Sequence, residues 1–494
     1  MNSASPEMAA SSSDRPRHIV IVGAGISGLA AAWELKRLNP SYAVTILEST
    51  PQAGGVLDTI IDPPYLIERS ADNFATLIPD ALNLCREIGY NSELISPQEA
   101  GRQAFVLHGG HISPIPVGFS LVQPTRVWPI LSTPTLSWRG KLRLLSEYFV
   151  PQRTSDEDES LLSFATRRLG REAFERLVEP IVSGIFTADP AQLSMQATLA
   201  QFVKMEREHG GLIRGYLAAR RQDAAAAARR ASGARYDQFV APRQGMRHWV
   251  EALQAALPAT SIQFQQRVAT LERPPAENTA DGRWKIQTTS GQTLSSDGVI
   301  LATPTAQSAQ LLASVQPQLA AALGRIQYAS SAVAILAIDR QEIHRRTDGF
   351  GLIVPSIERR PVLAISYSSN KYAGRAPDDQ LLLRIFMGGA LQPEVLQQSD
   401  SELSRMAEQQ LKEILGWTGA KCRWQGIVRW NNAMPQYHVG HCDLIEQIRQ
   451  HLTSLGALRL CGAGYSGVGI PQCVRSGRQA AAEIHQVLQS TNAH

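Results

Sequence analysis

His18-Ile-Val-Ile-Val-Gly-Ala-Gly-Ile-Ser-Gly28 is the stretch from which the fold is read. The run Ile19 to Val22 is apolar and β-branched throughout, the pattern of a strand buried on both faces. Gly23, Gly25 and Gly28 then form Gly-x-Gly-x-x-Gly. From Ile26 to Leu38, Leu29, Ala32, Trp33 and Lys36 recur at helical intervals. The spacing predicts strand, turn and helix. In that setting Gly23 makes the tight turn, Gly25 lets the backbone approach a pyrophosphate, and Gly28 brings helix and strand together. A second strand, Val44-Thr-Ile-Leu-Glu48, ends on an acidic residue twenty positions after Gly28, where a carboxylate reaches ribose hydroxyls. The helix N-terminus supplies the anion site.

The far end of the chain repeats the device. Leu458-Arg-Leu-Cys-Gly-Ala-Gly-Tyr-Ser-Gly-Val-Gly-Ile-Pro471 runs an apolar strand into glycines and then into a helix expected over 472–487. Pro471 suits the first helical turn, where no N–H is needed. The positive end of that helix can stabilise charge on a reduced ring cofactor. More than 400 residues separate the two glycine segments. One domain is therefore built from both chain ends, with others inserted between them. Glu48-Ser-Thr-Pro-Gln-Ala-Gly-Gly55 adds Ser49 and a Gly54-Gly55 pair that permits a second close backbone approach. That extension looks like the FAD-binding segment of amine-oxidase-type flavin oxidases.

The composition narrows the class. The 494 residues are 44% hydrophobic and 19% charged, ordinary for a folded chain of two or three domains. A net charge of +4 is too small to argue for nucleic acid, but it suits an anionic substrate or a weak membrane-surface preference. Cys85, Cys422, Cys442, Cys461 and Cys473 form no CxxC pair and read as reduced cysteines of a cytoplasmic protein. His438 and His441 lie three apart with no third ligand nearby, so no metal is expected. No apolar stretch is long enough to span a bilayer. Met1 to Asp14 lacks a basic start and an apolar run, and is expected to be a disordered leader. No Ser/His/Asp or Cys/His constellation stands out, which agrees with chemistry carried by a cofactor.

Between the ends, a hairpin is expected over 101–118, turning at Gly109-Gly110. Helical patterns cover 138–149, 159–180 and 196–230. The acidic run Ser155 to Ser160 precedes one of them, where negative charge suits the helix dipole. Ala218 to Ala231 is Ala/Arg-rich, and reads either as a solvated surface helix or as a basic helix touching anionic lipid. Strands return at 261–302, and again at Ala332 to Ile338, Phe350 to Val354, Val362 to Tyr367 and Leu381 to Phe386.

From His18 to Ile484 the chain resembles the bacterial porphyrinogen oxidases of haem synthesis, the family of oxygen-dependent protoporphyrinogen IX oxidase and coproporphyrinogen III oxidase. The residues that carry the resemblance are Phe164 with Leu177-Val-Glu-Pro-Ile-Val-Ser-Gly-Ile-Phe186, then Gly245-Met246, Ala433-Met-Pro-Gln-Tyr437 with Gly440-His441, and the tail from Gly462 to Gln479. The resemblance implies an α/β fold with a Rossmann-like FAD-binding domain assembled from both chain ends (15–75, 235–305 and 425–494). It adds a mixed-sheet substrate domain (76–112 and 306–424) and an inserted helical, membrane-leaning domain (113–234). It implies non-covalent FAD held by Gly23, Ala24, Gly25, Ile26, Ser27, Gly28, Glu48, Ser49, Gly54 and Gly55. Val268 would pair with the adenine, and Val468, Gly469, Ile470 and Trp430 would lie against the flavin. Phe350, Gly351, Ile353 and Phe386 would line a flat apolar slot for a tetrapyrrole. The implied reaction removes six electrons in three hydride transfers to flavin, with O2 reduced to H2O2. Implied partners are a second copy of the chain, the inner face of the cell membrane and the next enzyme of haem synthesis.

The chain departs from relatives in two places. It has Ala104, with Arg102 two residues earlier, where some place a propionate-binding arginine. It has Ser70-Ala71 where many have Gly-Pro. Another amine- or polyene-directed flavin oxidase or desaturase, and a non-catalytic FAD-bound scaffold, remain open at this point.

Overall fold

The computed structural model describes residues 15–99, 103–124, 127–222, 238–257, 262–273 and 283–490. The expected leader, Arg102 and all but the first turn of the Ala/Arg-rich stretch lie outside them. β1 (His18–Val22) leads through the glycine turn into α1 (Ile26–Leu38) and β2 (Ala43–Leu47). Two hairpins follow: β3 (Thr59–Asp62) with β4 (Tyr65–Glu68), and β5 (Ala104–His108) with β6 (His111–Pro114). The second turns at Gly109-Gly110, both with positive φ, as a two-residue hairpin loop requires.

Helices over 127–222 include α2 (Glu179–Phe186). Next come β7 (Ile262–Gln263), the antiparallel trio β8 (Val268–Glu272), β9 (Trp284–Thr288) and β10 (Thr293–Ser296), and β11 (Gly298–Leu301). The chain then runs through β12 (Tyr328–Asp339), β13 (Gly351–Ile353), β14 (Ala364–Tyr367), β15 (Gln380–Gly388), α3 (Asp400–Leu415) and β16 (Trp424–Pro435). It ends with β17 (Leu458–Leu460) and α4 (Ile470–Ser490).

Strands from three distant parts of the chain make one parallel sheet in the order β7-β2-β1-β11-β17. Its two faces explain the uninterrupted apolar run of β1. Ile19 and Ile21 pack against α1, α4 and Trp249, while Val20 and Val22 pack against Leu312, Leu319, Leu323 and Ile448 on the other side. α1 and α4, from opposite chain ends, lie against each other on the first face.

A seven-stranded mixed sheet, β16-β12-β15-β14-β13-β5-β6, forms the second layer system; only the β13–β5 pair is parallel. Ala334, Leu336, Leu383 and Ile385 face α3, which covers them with Leu403, Ala407, Leu411 and Ile414. On the opposite face the β3–β4 hairpin covers Val333, Ile335 and Val428 with Ile60, Tyr65 and Ile67. The same cluster takes in Leu382 and Phe386 of β15, so the hairpin leaves the β13–β14 part of this face to the candidate site. The helical segment has its own core around Phe164, Leu177, Val182 and Phe202.

Three of the expected domain boundaries move, each because an amphipathic element buries its apolar face elsewhere. The helix Asp80–Glu87 puts Ala81, Leu84 and Cys85 into the α1–α4 core, so residues 76–95 pack with the nucleotide-type sheet rather than the mixed sheet. The helices Thr305–Leu312 and Pro317–Gly324 cover the other face of that sheet, so the mixed-sheet segment starts near Tyr328 and not at 306. Trp424–Pro435 pairs with β12, so the last segment of the two-ended domain begins after this strand and not at 425.

Glu179 opens α2 inside this packing, with one carboxylate oxygen accepting the Ser356 N–H at 3.3 Å. Burial pushes its carboxyl up from 4.5 to about 7, and the hydrogen bonds only partly oppose that. Between those two pH values the folded state holds a proton that the unfolded state has released. The stabilisation is complete below about 4.5 and is lost as pH rises through about 7. Glu179→Gln should therefore flatten the fall in stability across this window, by on the order of 2 kcal/mol. Urea unfolding at pH 5 and pH 8 checks it; an equal gap between parent and variant at both values overturns the assignment.

Candidate flavin and substrate site

The first glycine turn is closed by its own backbone and by Glu48. Gly23 N–H donates to Leu47 O at 2.8 Å. Gly23 has φ +105°, and at Gly28 a Cβ would strike the Gly23 carbonyl and sit 3.3 Å from Ala302 Cβ. The roles expected for both glycines, a tight turn and close helix–strand packing, are the ones the backbone shows. The Ala24 N–H donates to Glu48 Oε2 at 2.8 Å, and the Thr50 N–H and Oγ1–H donate to Oε1 at 2.8 and 2.9 Å. Ser49 Oγ lies 3.3 Å from the same oxygen. Glu48 is thus held rigidly at the strand end by its neighbours and keeps acceptor capacity for hydroxyls.

The second glycine pair folds onto the first. Gly54 N–H donates to Ala24 O at 2.9 Å, Gly25 and Gly54 form an isolated parallel bridge, and a Cβ on Gly55 would lie 3.4 Å from Gly25 Cα. At Gly25 itself a Cβ would meet nothing within 4 Å, and no side chain caps the α1 N-terminus. The first N–H groups of α1 therefore open onto a cradle that a side chain at Gly25 would fill, the arrangement that fits a pyrophosphate. The Gln266 N–H donates to Glu48 O at 2.8 Å, which places Val268 beside the end of β2, packed against the Val20–Val22–Leu47 cluster.

The tail glycines reach the same region from the other side. Tyr437 Oη donates to Ala463 O and accepts the Gly467 N–H, the latter at 2.7 Å. Its ring stacks on His441, centroids 4.1 Å apart, and His441 Nε2 lies 3.1 Å from Tyr465 O. The two histidines considered as a metal pair are thus engaged differently, with His441 buried against Tyr437. Val468 packs beside Tyr437 on the helical segment's core, while Ile470 joins the α1–α4 core. Residues 468–470 therefore sit where the helical segment meets the α1–α4 core. Trp430 Nε1 donates to Arg69 O at 2.9 Å, so this tryptophan holds the loop 69–73, which follows β4. Ala71 in that loop packs against the α1–α4 core, to which Ile470 also belongs.

The mixed sheet presents two rows of residues to the site. Ala104, Gly351, Ser366 and Arg384 lie in register across four strands; Val106, Ile353, Ala364 and Phe386 form the next row. Ile353 meets α2 at Gly184. Gly351, Ile353 and Phe386 thus share one face of the mixed sheet with Ser366 and Arg384. Phe350 differs: it precedes the strand in a bend and is 1% exposed, fully enclosed by protein.

Two charged groups on this side were not singled out from the sequence. Arg384 lies among apolar neighbours in Leu381-Leu-Leu-Arg-Ile-Phe386, and that lone charge in a strand buried on both faces was the available signal. Asp72 is its partner, Nη1 to Oδ2 3.2 Å. Next to them, burial pushes Glu68 up to about 7, although Thr59 Oγ1 donates to it and Arg375 lies 3.9 Å away.

Residues 26–485 match the family model described as flavin containing amine oxidoreductase. The chain belongs to that family. Its cofactor is therefore a flavin, and the dinucleotide pattern of Gly23–Gly28 with Glu48 makes it FAD. The chain is 29% identical to coproporphyrinogen III oxidase of Bacillus subtilis, covering 95% of this chain and 98% of the relative. It is 31% identical to human protoporphyrinogen oxidase, again covering 95% and 98%. A crystal structure from Exiguobacterium sp. 255-15, assigned as a protoporphyrinogen oxidase, superposes with a TM-score of 0.82 at 28% identity over 96% of this chain and 99% of that one.

Glu48→Ala should weaken FAD retention by roughly 1.5–3 kcal/mol, the value of a hydrogen bond to a charged acceptor. Extensive dialysis followed by flavin absorbance checks this. Retention equal to the parent's would remove Glu48 from the cofactor site.

Proposed function

We propose that this flavoenzyme oxidises a porphyrinogen to the porphyrin in haem synthesis. The observation that carries the reading is the likeness to porphyrinogen oxidases over 95% of the chain, helical segment included. The site face agrees with it. Gly351, Ile353, Ala364 and Phe386 offer a broad apolar platform opposite α2, suited to a macrocycle of four pyrroles. FAD, when bound, takes electron pairs from the substrate and passes them to oxygen. The residues of this chain do the rest. The α1 N-terminus and Glu48 fix the dinucleotide, Val468–Ile470 fix the ring end, and the platform orients the substrate while excluding water.

The cofactor is held without a covalent bond. Burial pushes the thiols of Cys461 and Cys473 up, the latter to about 11, so neither is an available nucleophile. Cys473 Sγ points at the Gly467 and Val468 carbonyls.

The helical segment carries the membrane contact. Trp128, Trp138, Leu142 and Phe149 are 63–77% exposed, and Arg139 between two of them is exposed as well. Large aromatics beside basic residues suit the interface of an anionic bilayer. No helix among the described residues is long and apolar enough to cross a membrane.

Aerobic assays with coproporphyrinogen III and protoporphyrinogen IX, against no-enzyme controls, should show porphyrin fluorescence and peroxide with coproporphyrinogen III. The ratio of the two kcat/KM values then fixes the natural substrate. FAD-loaded protein that turns over neither overturns the reading in favour of an amine or polyene oxidase or a scaffold. Co-sedimentation with anionic vesicles at low salt, released at high salt, is the expected behaviour of the helical segment. No sedimentation at either salt removes the membrane contact.

A further inference from the structure

Arg384 is enclosed at the junction of the two sheet systems. Its side chain is 3% exposed, and the guanidinium lies 5.2 Å over the ring of Phe386. A charge buried there without partners would be strongly destabilising. Its partners all come from one loop, 69–73. Nη2 donates to Ser70 O, and Nη1 pairs with Asp72 Oδ2 at 3.2 Å. Lys371 Nζ, from the short helix after β14, holds the same Asp72 oxygen at 3.2 Å, and Asn73 Nδ2 donates to Oδ1 at 2.8 Å. From the other side the loop is tied to the second glycine segment. Ser70 Oγ donates to Val56 O, the Arg69 N–H donates to Asp58 O at 3.0 Å, and Arg69 Nη1 donates to Asp58 Oδ2 at 2.7 Å. One guanidinium therefore connects Phe386 on the substrate platform to the residue that follows Gly54-Gly55 on the cofactor side.

We propose that Arg384 is a positioning residue, forming with Asp72 a buried clamp that sets the spacing between the substrate platform and the flavin seat. The inference rests on the platform and glycine segments being the substrate and flavin sites described above. The clamp needs a fork: two separate acceptors, a backbone carbonyl and a carboxylate, are met by two nitrogens of one planar group. A lysine delivers a single point charge to one of them. Because the clamped loop lies between platform and flavin seat, its loss should loosen cofactor binding and misalign the substrate without emptying the apolar pocket.

The test uses Arg384→Lys, Arg384→Met, Asp72→Asn and the double variant Arg384→Lys/Asp72→Asn, with FAD titrated into apoprotein by fluorescence quenching. Each single variant should weaken FAD binding about tenfold, as expected for one charge-assisted hydrogen bond. The double variant should fall well short of the sum of the two single losses, because the Arg384–Asp72 contact is lost in both. In the holoenzyme the flavin absorbance band should shift, and kcat should fall about tenfold with KM changed less than about twofold, the pattern of lost alignment. Variants that lose thermal stability but keep the parent's FAD affinity and flavin spectrum would reduce Arg384 to a structural role and overturn the proposal. So would additive losses in the double variant. If Arg384→Met does not fold, the two conservative variants decide. The FAD titrations need no substrate, so a failure of porphyrinogen turnover is distinguishable from a failure of the clamp.

Discussion

Gly477 of α4 lies so close to α1 that a Cβ there would strike the Ser27 carbonyl and come within 3.2 Å of the Ala31 nitrogen. Helices from opposite ends of the chain thus touch backbone to backbone. Gly28 repeats the condition one layer down, against the Gly23 carbonyl. With both contacts made, α1, α4 and the first glycine turn form one core drawn from the two ends of the chain. Everything between them has to leave this core and return without disturbing it. The chain does so by adding whole units: a hairpin that covers half of the mixed sheet, a helical segment with its own core, and the mixed sheet itself.

The junction between the units is polar where most domain cores are apolar. Asp58 with Arg69, Glu68 with Arg375, and Asp72 with Lys371 and Arg384 lie along one seam. Buried ion pairs contribute little net stability against apolar replacements, because desolvation cancels most of the attraction. They do restrict geometry, since a shift of either sheet by an ångström or two would strand a charge. An apolar seam of the same area could slide.

Local signals were legible in the sequence wherever one element settles them alone. α1 occupies Ile26–Leu38 as its apolar spacing indicated, the Gly109-Gly110 turn closes its hairpin, and Ser160 caps the helix after the acidic run by accepting the Ser163 N–H. The closed glycine turn was legible for the same reason: Gly23, Gly28 and Glu48 come together within a single strand–turn–helix–strand unit. Boundaries between units were less so. The helices Thr305–Leu312 and Pro317–Gly324 follow the strands of one sheet and precede those of the other, and only the tertiary structure shows that their apolar face covers β1 rather than the mixed sheet.

The shared face of the mixed sheet was half legible, and the missing half follows a rule. Gly351, Ile353 and Phe386 share a face because strand alternation fixes their parity once register is known, and register depends on strands more than a hundred residues away, such as β5. Phe350 sits in a bend before its strand, where alternation no longer applies. Arg384 was hidden for a deeper reason. Its charge makes sense only beside Asp72, 312 positions earlier in the chain, and no pattern around either residue points to the other. Apolar cores announce themselves by period because water is the common partner that each residue avoids. A buried charge has one specific partner, so its meaning is carried by the pair and emerges only when the fold brings the two together.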